Sequence, residues 1–222
     1  MPQHPFDNGE LKVRDELLAP FPRTEAEVRR HIAAYYAMIS EVDAQIGRVL
    51  DAVEASPHSA NTYIIFAGDN GLALGRHGLL GKQNLYDHSL RVPMVISGPG
   101  IPKGVRSDTL CHLMDICPTI LDLAGASYQG LDARSLRPAL KDPKQRIRDS
   151  VAAAYRDVQR AVRTGDEKLI LYRVNGQQTT QLFDLRRDPD ELENLASKQP
   201  ARVAKLTAML KQGLIDAGDD RW

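Results

Sequence analysis

Thr62-Tyr63-Ile64-Ile65-Phe66-Ala67-Gly68-Asp69-Asn70-Gly71 decides how this chain is read. The first six residues are a continuous apolar, β-rich run, the pattern of a strand covered on both faces in a parallel sheet. Where the run ends, Asp69 and Asn70 stand at the carboxyl end of that strand, the place where open α/β sheets bind their ligands. Their hard oxygens suit Ca²⁺ or Mg²⁺ better than zinc. Asp-Asn-Gly is equally a turn sequence closing a strand, so the pentapeptide by itself leaves turn and site open.

Upstream, Thr24-Glu25-Ala26-Glu27 is a capping box, and Ile32, Tyr35, Tyr36, Ile39, Val42, Ile46, Val49, Leu50 and Val53 follow at helical spacing. This predicts a long amphipathic helix to about residue 55, broken by Ser56-Pro57. A helix leading into a buried strand is α/β grammar. The residues before Thr24, with Pro2, Pro5, Pro20 and Pro22, lack periodicity and read as an arm.

Downstream, glycines at 68, 71, 75, 78 and 81 mark a long loop to about Leu85. It carries His77 and Lys82, an imidazole and a cation within reach of any ligand at Asp69, as sulfate or phosphate chemistry requires. Either residue alone would also be ordinary solvated surface. Residues 92–97 read as a second buried strand whose Pro93 belongs at its start or on an edge. Residues 115–124, with Pro118 near the first turn and Gly125 after the end, read as a helix.

Beyond Ser150 the grammar becomes antiparallel. Short strands are predicted at 151–155, 158–163, 168–172 and 181–185, with turns at Gly165-Asp166 and Asn175-Gly176. Helices are predicted at 189–196 and 200–217, giving a small sheet with a C-terminal helix packed on it.

The composition is that of a globular protein: 222 residues, 42% apolar, 26% charged, with 29 Lys and Arg against 29 Asp and Glu. Disorder and collagen are excluded. Zero formal charge argues against general affinity for nucleic acid or anionic membrane. No stretch approaches the roughly 20 apolar residues of a membrane span, and MPQHPFDNGE lacks the basic and apolar regions of an export signal. Cys111 and Cys117 lack zinc-site spacing and are expected to be buried thiols.

The ordered motifs resemble the sulfatases of the alkaline phosphatase superfamily. They are Phe66-Ala67-Gly68-Asp69-Asn70-Gly71, Leu74-Gly75-Arg76-His77-Gly78, Lys82, Tyr86-Asp87, Arg91-Val92-Pro93-Met94 and Gly98-Pro99-Gly100. The series continues through Asp115-Ile116-Cys117-Pro118-Thr119-Ile120-Leu121-Asp122-Leu123-Ala124-Gly125, Ala161-Val162-Arg163-Thr164, Leu182-Phe183-Asp184-Leu185, Asp188-Pro189-Asp190-Glu191 and Glu193-Asn194-Leu195. The resemblance implies an α/β fold: an arm over 1–23, and over 24–149 the C-terminal part of a sulfatase catalytic domain with a mainly parallel sheet and flanking helices. Residues 150–222 would form a small α+β subdomain, an antiparallel sheet with a packed helix.

By the same resemblance Asp69 and Asn70 are ligands of the catalytic cation, usually Ca²⁺, Lys82 contacts the sulfate group, and His77 adds a hydrogen bond near it. Tyr86, Asp87, Arg91 and the Pro118-Thr119 helix start are packing and bracing positions. The implied substrate is a sulfate-ester small molecule or a sulfated glycan. The family's Cys-x-Pro-x-Arg nucleophile motif and early Asp-Asp metal pair are absent here: Cys117 is followed directly by Pro118, and no Arg stands at 121. The expectation is therefore the C-terminal portion of a sulfatase, partnered by the missing N-terminal half, binding Ca²⁺ weakly and inactive alone. Two alternatives stay open: a phosphate or phosphonate ester hydrolase of the same superfamily, and a non-catalytic binding or assembly module. Location is not indicated by the residues; complete bacterial relatives are commonly periplasmic or secreted.

Overall fold

The computed structural model describes residues 3–219 and 222; Pro2 of the predicted arm lies outside the described residues. Helix α1, Glu25–Glu54, starts where the capping box predicts: the Glu27 N–H donates to Thr24 Oγ1 (3.2 Å) and the Thr24 N–H donates back to Glu27 Oε2 (3.2 Å). Its 30 residues span about 45 Å at 1.5 Å per residue. Strand β1, Ile64–Ala67, follows, then the long loop, a short helix α2 (Asp87–Leu90) and strand β2 (Met94–Ser97). Helix α3 (Ile116–Ala124) ends at Gly125, whose φ of 72° supplies the left-handed cap that glycine adopts without strain, and α4 is Arg137–Lys141.

The parallel sheet expected around residues 62–67 is not seen among the described residues. β1 pairs antiparallel with β2, Phe66 opposite Val95, and both strands are half-exposed. A continuous apolar run reports that both faces want cover; it does not encode the direction of the neighbouring strand. Pro93 stands just before β2, where its missing N–H breaks no ladder bond. Cys111 is half-buried and Cys117 exposed, so the expectation of two buried thiols fails for Cys117. The first turn of α3 turns Pro118 and Thr119 inward, which leaves Cys117 on the outer side.

The C-terminal half is an antiparallel meander of β3 (Val151–Tyr155), β4 (Gln159–Arg163), β5 (Glu167–Val174) and β6 (Gln177–Asp184), in that spatial order. Asn175 and Gly176 both have positive φ (50° and 76°), as a two-residue hairpin matching the sheet twist requires. Helix α5, Pro200–Asp216, lays Leu206, Leu210 and Leu214 on the face formed by Val162, Leu169, Leu171 and Leu182. The opposite face, Ala161, Ile170, Tyr172 and Phe183, packs on Leu79, Leu85 and Tyr86 from the glycine loop, with Phe6 and Leu11 alongside. Cover on both faces is why β5 carries Leu169-Ile170-Leu171-Tyr172 without polar alternation.

The helix predicted at 189–196 does not form. Glu191 has a left-handed backbone (φ 58°), and the Leu195 N–H donates to the Leu182 carbonyl (2.8 Å). Asn194 Oδ1 accepts from the Leu182 and Ala196 N–H groups (3.0 Å each), so the segment is spent bracing β6. No helix among the described residues is long and apolar enough to cross a membrane.

Gly71 is packed so closely that a Cβ would lie 1.9 Å from the His88 carbonyl oxygen, whereas Gly47 in α1 has open space. Gly71→Ala is therefore expected to cost about 2 kcal/mol or more in denaturant unfolding. Gly47→Ala should stabilise by roughly 0.5–1 kcal/mol through helix propensity.

Candidate functional site

The loop after β1 is a closed ribbon, not an irregular excursion. The N–H groups of Ala73, Leu74 and Gly75 donate to the carbonyls of Gly81 (3.0 Å), Leu80 (3.3 Å) and Leu79 (2.7 Å). Continued by one position, the same register sets residue 72 opposite Lys82, so Lys82 sits at the open end of the ribbon, two positions along the facing strand from Asn70. His77 sits at the tip, in left-handed backbone (φ 53°), with Gly75 (φ 98°) and Gly78 (φ 72°) taking the other positive φ values of the turn.

Asp69 and Lys82 are exposed, and Asn70 is half-buried. Asp69 Oδ1 accepts from the Asn70 N–H (2.8 Å), and Asn70 Nδ2 donates to the Gly71 carbonyl (2.9 Å). These are the bonds of a tight local turn, and they leave the Asp69 carboxylate at the surface. Among the described residues no three His, Cys, Asp or Glu side chains converge as a metal shell. Asp69 and Asn70 offer two donors where Ca²⁺ takes six to eight oxygens, so by themselves they do not build such a site.

The backbone beneath Lys82 is held by Glu16, from the segment that the sequence presents as an arm. The Glu16 carboxylate accepts from the Leu80 N–H (3.0 Å) and the Gly81 N–H (2.8 Å) and is paired with Arg23 (2.7 Å), both side chains being almost wholly buried. A buried carboxylate is tolerated because charge and hydrogen bonds are all supplied. Asp15 Oδ2 accepts from Gln83 Nε2 (2.8 Å), bracing the residue after Lys82. No local pattern in the sequence marks Glu16, because its partners in the ribbon lie more than 60 residues away.

At the ribbon tip the His77 ring stacks on Tyr86 with centroids 3.9 Å apart and planes 5° from parallel, and His88 lies 5.6 Å from His77. His4 Nε2 lies 3.1 Å from the Tyr86 hydroxyl, and the hydroxyls of Tyr86 and Tyr172 donate to Gln181 Oε1 (2.8 and 2.9 Å). Burial depresses all three imidazoles: His77 is pushed down to about 4, by desolvation and then the neighbouring His4, and His88 to about 3, by desolvation and then His77. His4 is lowered chiefly by desolvation. His77 is thus neutral near pH 7, fit to make a hydrogen bond and not to carry charge. Burial also lifts the Tyr86 hydroxyl to about 12.

Just beyond, Lys168 reaches from β5, fully buried, to Asp87 (2.5 Å), Glu191 (2.7 Å) and the Leu85 carbonyl (3.1 Å), while Arg163 contacts Asp87 (3.3 Å). Desolvation opposes the Asp87 charge, yet Lys168 and Arg163 outweigh it and hold its carboxyl below the ordinary range. Glu191 is raised, desolvation outweighing the pull of Lys168. Tyr86 and Asp87 are therefore packing and bracing residues, in keeping with the sequence reading. Asp115, wholly buried, plays the same part for α3: Arg148 grips both its oxygens, and the N–H groups of His112 and Arg134 donate to it (2.8 Å each).

The structure thus has an acidic strand end and a glycine ribbon carrying a cation, and comparison with known proteins gives its class. The profile described as Sulfatase matches residues 7–126, and that described as N-sulphoglucosamine sulphohydrolase, C-terminal, matches residues 75–220. The chain belongs to the sulfatase family. It is 36% identical to the arylsulfatase K of Gallus gallus over 206 residues, covering 85% of this chain and 38% of that protein. Among solved structures, one protein in complex with its substrate D-glucosamine-2-N,6-O-disulfate superposes with a TM-score of 0.80 at 26% identity, over 96% of this chain and 44% of that one. The phosphonate monoester hydrolase of Agrobacterium radiobacter superposes with a TM-score of 0.75 at 28% identity, over 85% of this chain and 42% of that one. The chain thus spans about 40% of the length of these relatives.

The neutral histidines predict acid lability. In the unfolded chain they protonate from about pH 6.5 downward, whereas in the folded chain His77 and His88 resist until about 4 and 3. Their contribution is complete above pH 6.5 and is lost as pH falls toward those values. The loss grows across that window, by up to about 1.4 kcal/mol for each pH unit and each histidine. Urea unfolding at pH 7 and pH 4.5 should show this loss, and His88→Asn should reduce it.

Proposed function

We propose that this chain supplies one wall of the active site of a sulfuric ester hydrolase, the nucleophile coming from sequence outside these 222 residues. The observation that supports the reading is the ribbon register, which sets Lys82 opposite residue 72, two positions after Asn70. In this reading the side-chain oxygens of Asp69 and Asn70 contribute part of a Ca²⁺ shell, and the cation offsets negative charge on the sulfate oxygens. Lys82 places its ammonium on the same group and opposes the charge that grows as the ester bond breaks. His77, stacked on Tyr86 at the closed tip of the ribbon and so at the end away from Lys82, has its hydrogen bond to the sulfate from the family resemblance alone. The substrate class is a sulfate-ester small molecule or a sulfated glycan, supported by the disulfated glucosamine that the structural relative takes as its substrate.

In the same reading residues 24–149 are the C-terminal part of the catalytic domain, 150–222 a small α+β subdomain, and 1–23 an arm across both. The mainly parallel sheet would be completed by strands from the part of the family that this chain does not span. A second reading, hydrolysis of phosphonate esters, is supported by the likeness to the Agrobacterium enzyme.

The test uses a protein containing both this sequence and a Cys-x-Pro-x-Arg segment. There, Asp69→Ala and Lys82→Ala should each lower kcat/KM on an aryl sulfate by about 10²–10³-fold, the usual loss on removing one charge-stabilising group. Unchanged rates would overturn the assignment, and faster turnover of a matched aryl phosphonate would favour the second reading. The 222-residue chain alone should release no sulfate above background; release abolished by Asp69→Ala would place the nucleophile within it.

A further inference from the structure

We infer that Glu16, charge-balanced by Arg23, is a positioning residue for the proposed reaction: its carboxylate sets the backbone from which Lys82 reaches the sulfate group. The inference rests on the assignment of Lys82 to that group, and deepens it by naming what holds the lysine in place.

The returning strand of the ribbon gives the carbonyls of Leu80 and Gly81 to the N–H groups of Leu74 and Ala73. Its own N–H groups turn to side chains instead. Those of Leu80 (3.0 Å) and Gly81 (2.8 Å) converge on the Glu16 carboxylate, and successive N–H groups turned the same way make a concavity for an anion. The Lys82 N–H donates to Gln83 Oε1 (3.0 Å), and Gln83 Nε2 donates in turn to Asp15 Oδ2 (2.8 Å). Asp15 and Glu16 thus hold each backbone N–H from Leu80 to Lys82, directly or through Gln83. A Cβ at Gly81 would lie 2.9 Å from Asp15 Cβ and 3.1 Å from Glu16 Oε1, so this close approach needs the glycine.

The arm is itself closed into a clip. Arg23 pairs with Glu16 Oε2 (2.7 Å), donates to the Glu16 carbonyl (2.6 Å) and to the Ala19 carbonyl, and sets its guanidinium 3.8 Å from the centre of the Phe21 ring. Stability alone does not call for such a device. Taking an ion pair out of water is costly, and apolar side chains of the same volume are often as stable or more so. Water could equally serve two N–H groups next to an exposed lysine. What a buried carboxylate with two amides and a guanidinium adds is one fixed geometry, since these bonds weaken as soon as the backbone shifts. Fixed geometry matters most for a group that must meet charge in a transition state, where a misplacement of about 1 Å can cost 10²-fold in rate.

The experiment is a double-mutant cycle in a protein containing both this sequence and a Cys-x-Pro-x-Arg segment, read as kcat/KM on an aryl sulfate. Glu16→Gln should lower kcat/KM by about 10–100-fold. In the Lys82→Ala background the same change should cost less than about twofold, because a residue that acts through Lys82 then has nothing to position. Glu16→Gln leaves the Arg23 charge buried and unmet, so the paired Glu16→Gln/Arg23→Met variant, which leaves no such charge, repeats the cycle and should show the same coupling. A merely structural role would lower the rate equally in both backgrounds. That result, full activity in the Glu16 variants, or a paired variant that does not fold would overturn the inference. If Lys82→Ala alone keeps the parent rate, the assignment of Lys82 falls and takes this inference with it; if Lys82→Ala is strongly impaired and no coupling appears, the positioning role alone falls.

Discussion

The buried ammonium of Lys168 joins two parts of this molecule that are far apart in sequence. It comes from the middle of the C-terminal sheet and binds the Asp87 carboxylate, the Glu191 carboxylate and the Leu85 carbonyl, all on segments outside that sheet. A lysine without access to water is stable only when such partners are present, and loss of one leaves an uncompensated charge that costs several kcal/mol. Sheet, glycine ribbon and the loop after β6 are thereby obliged to meet in one geometry. The apolar contacts of Leu79, Leu85 and Tyr86 with Ile170, Tyr172 and Phe183 add area to that junction, and the ion pairs fix its register.

Glu16 braces the returning strand of the ribbon, as Lys168 braces the segment that follows it. By accepting the Leu80 and Gly81 amides it fixes the backbone immediately before Lys82, and its own charge is met by Arg23. Lys82 is therefore an exposed side chain on a braced backbone. His77 is held differently, by a strained left-handed backbone and by stacking on Tyr86. The C-terminal half thus serves as the support on which the loop is built.

The amino-terminal half presents the opposite condition. α1, β1 and β2 leave much of their apolar surface in water, whereas the central strands of the meander are covered on both faces and α5 buries its leucine stripe against them. The chain belongs to the sulfatase family and spans about 40% of the length of the relatives it matches.

The sequence by itself determined the elements whose cause is local. Thr24 and Glu27 announce the start of α1, Asn175-Gly176 the tightest hairpin, Gly125 the end of α3, and the ordered motifs from Phe66 to Leu195 the family. Where the cause is distant, only the tertiary structure decided. The run at 62–67 shows that a strand wants cover, but its antiparallel partner is set by how the chain returns at 94–97. Residues 189–196 favour helix locally, yet Asn194 and Leu195 gain more by bonding Leu182, and Glu191 by meeting Lys168. Nothing near Glu16 or Lys168 marks their burial, and nothing near His4, His77 or His88 marks a neutral ring, because a buried charge or a neutral imidazole is defined by partners that folding brings from distant parts of the chain.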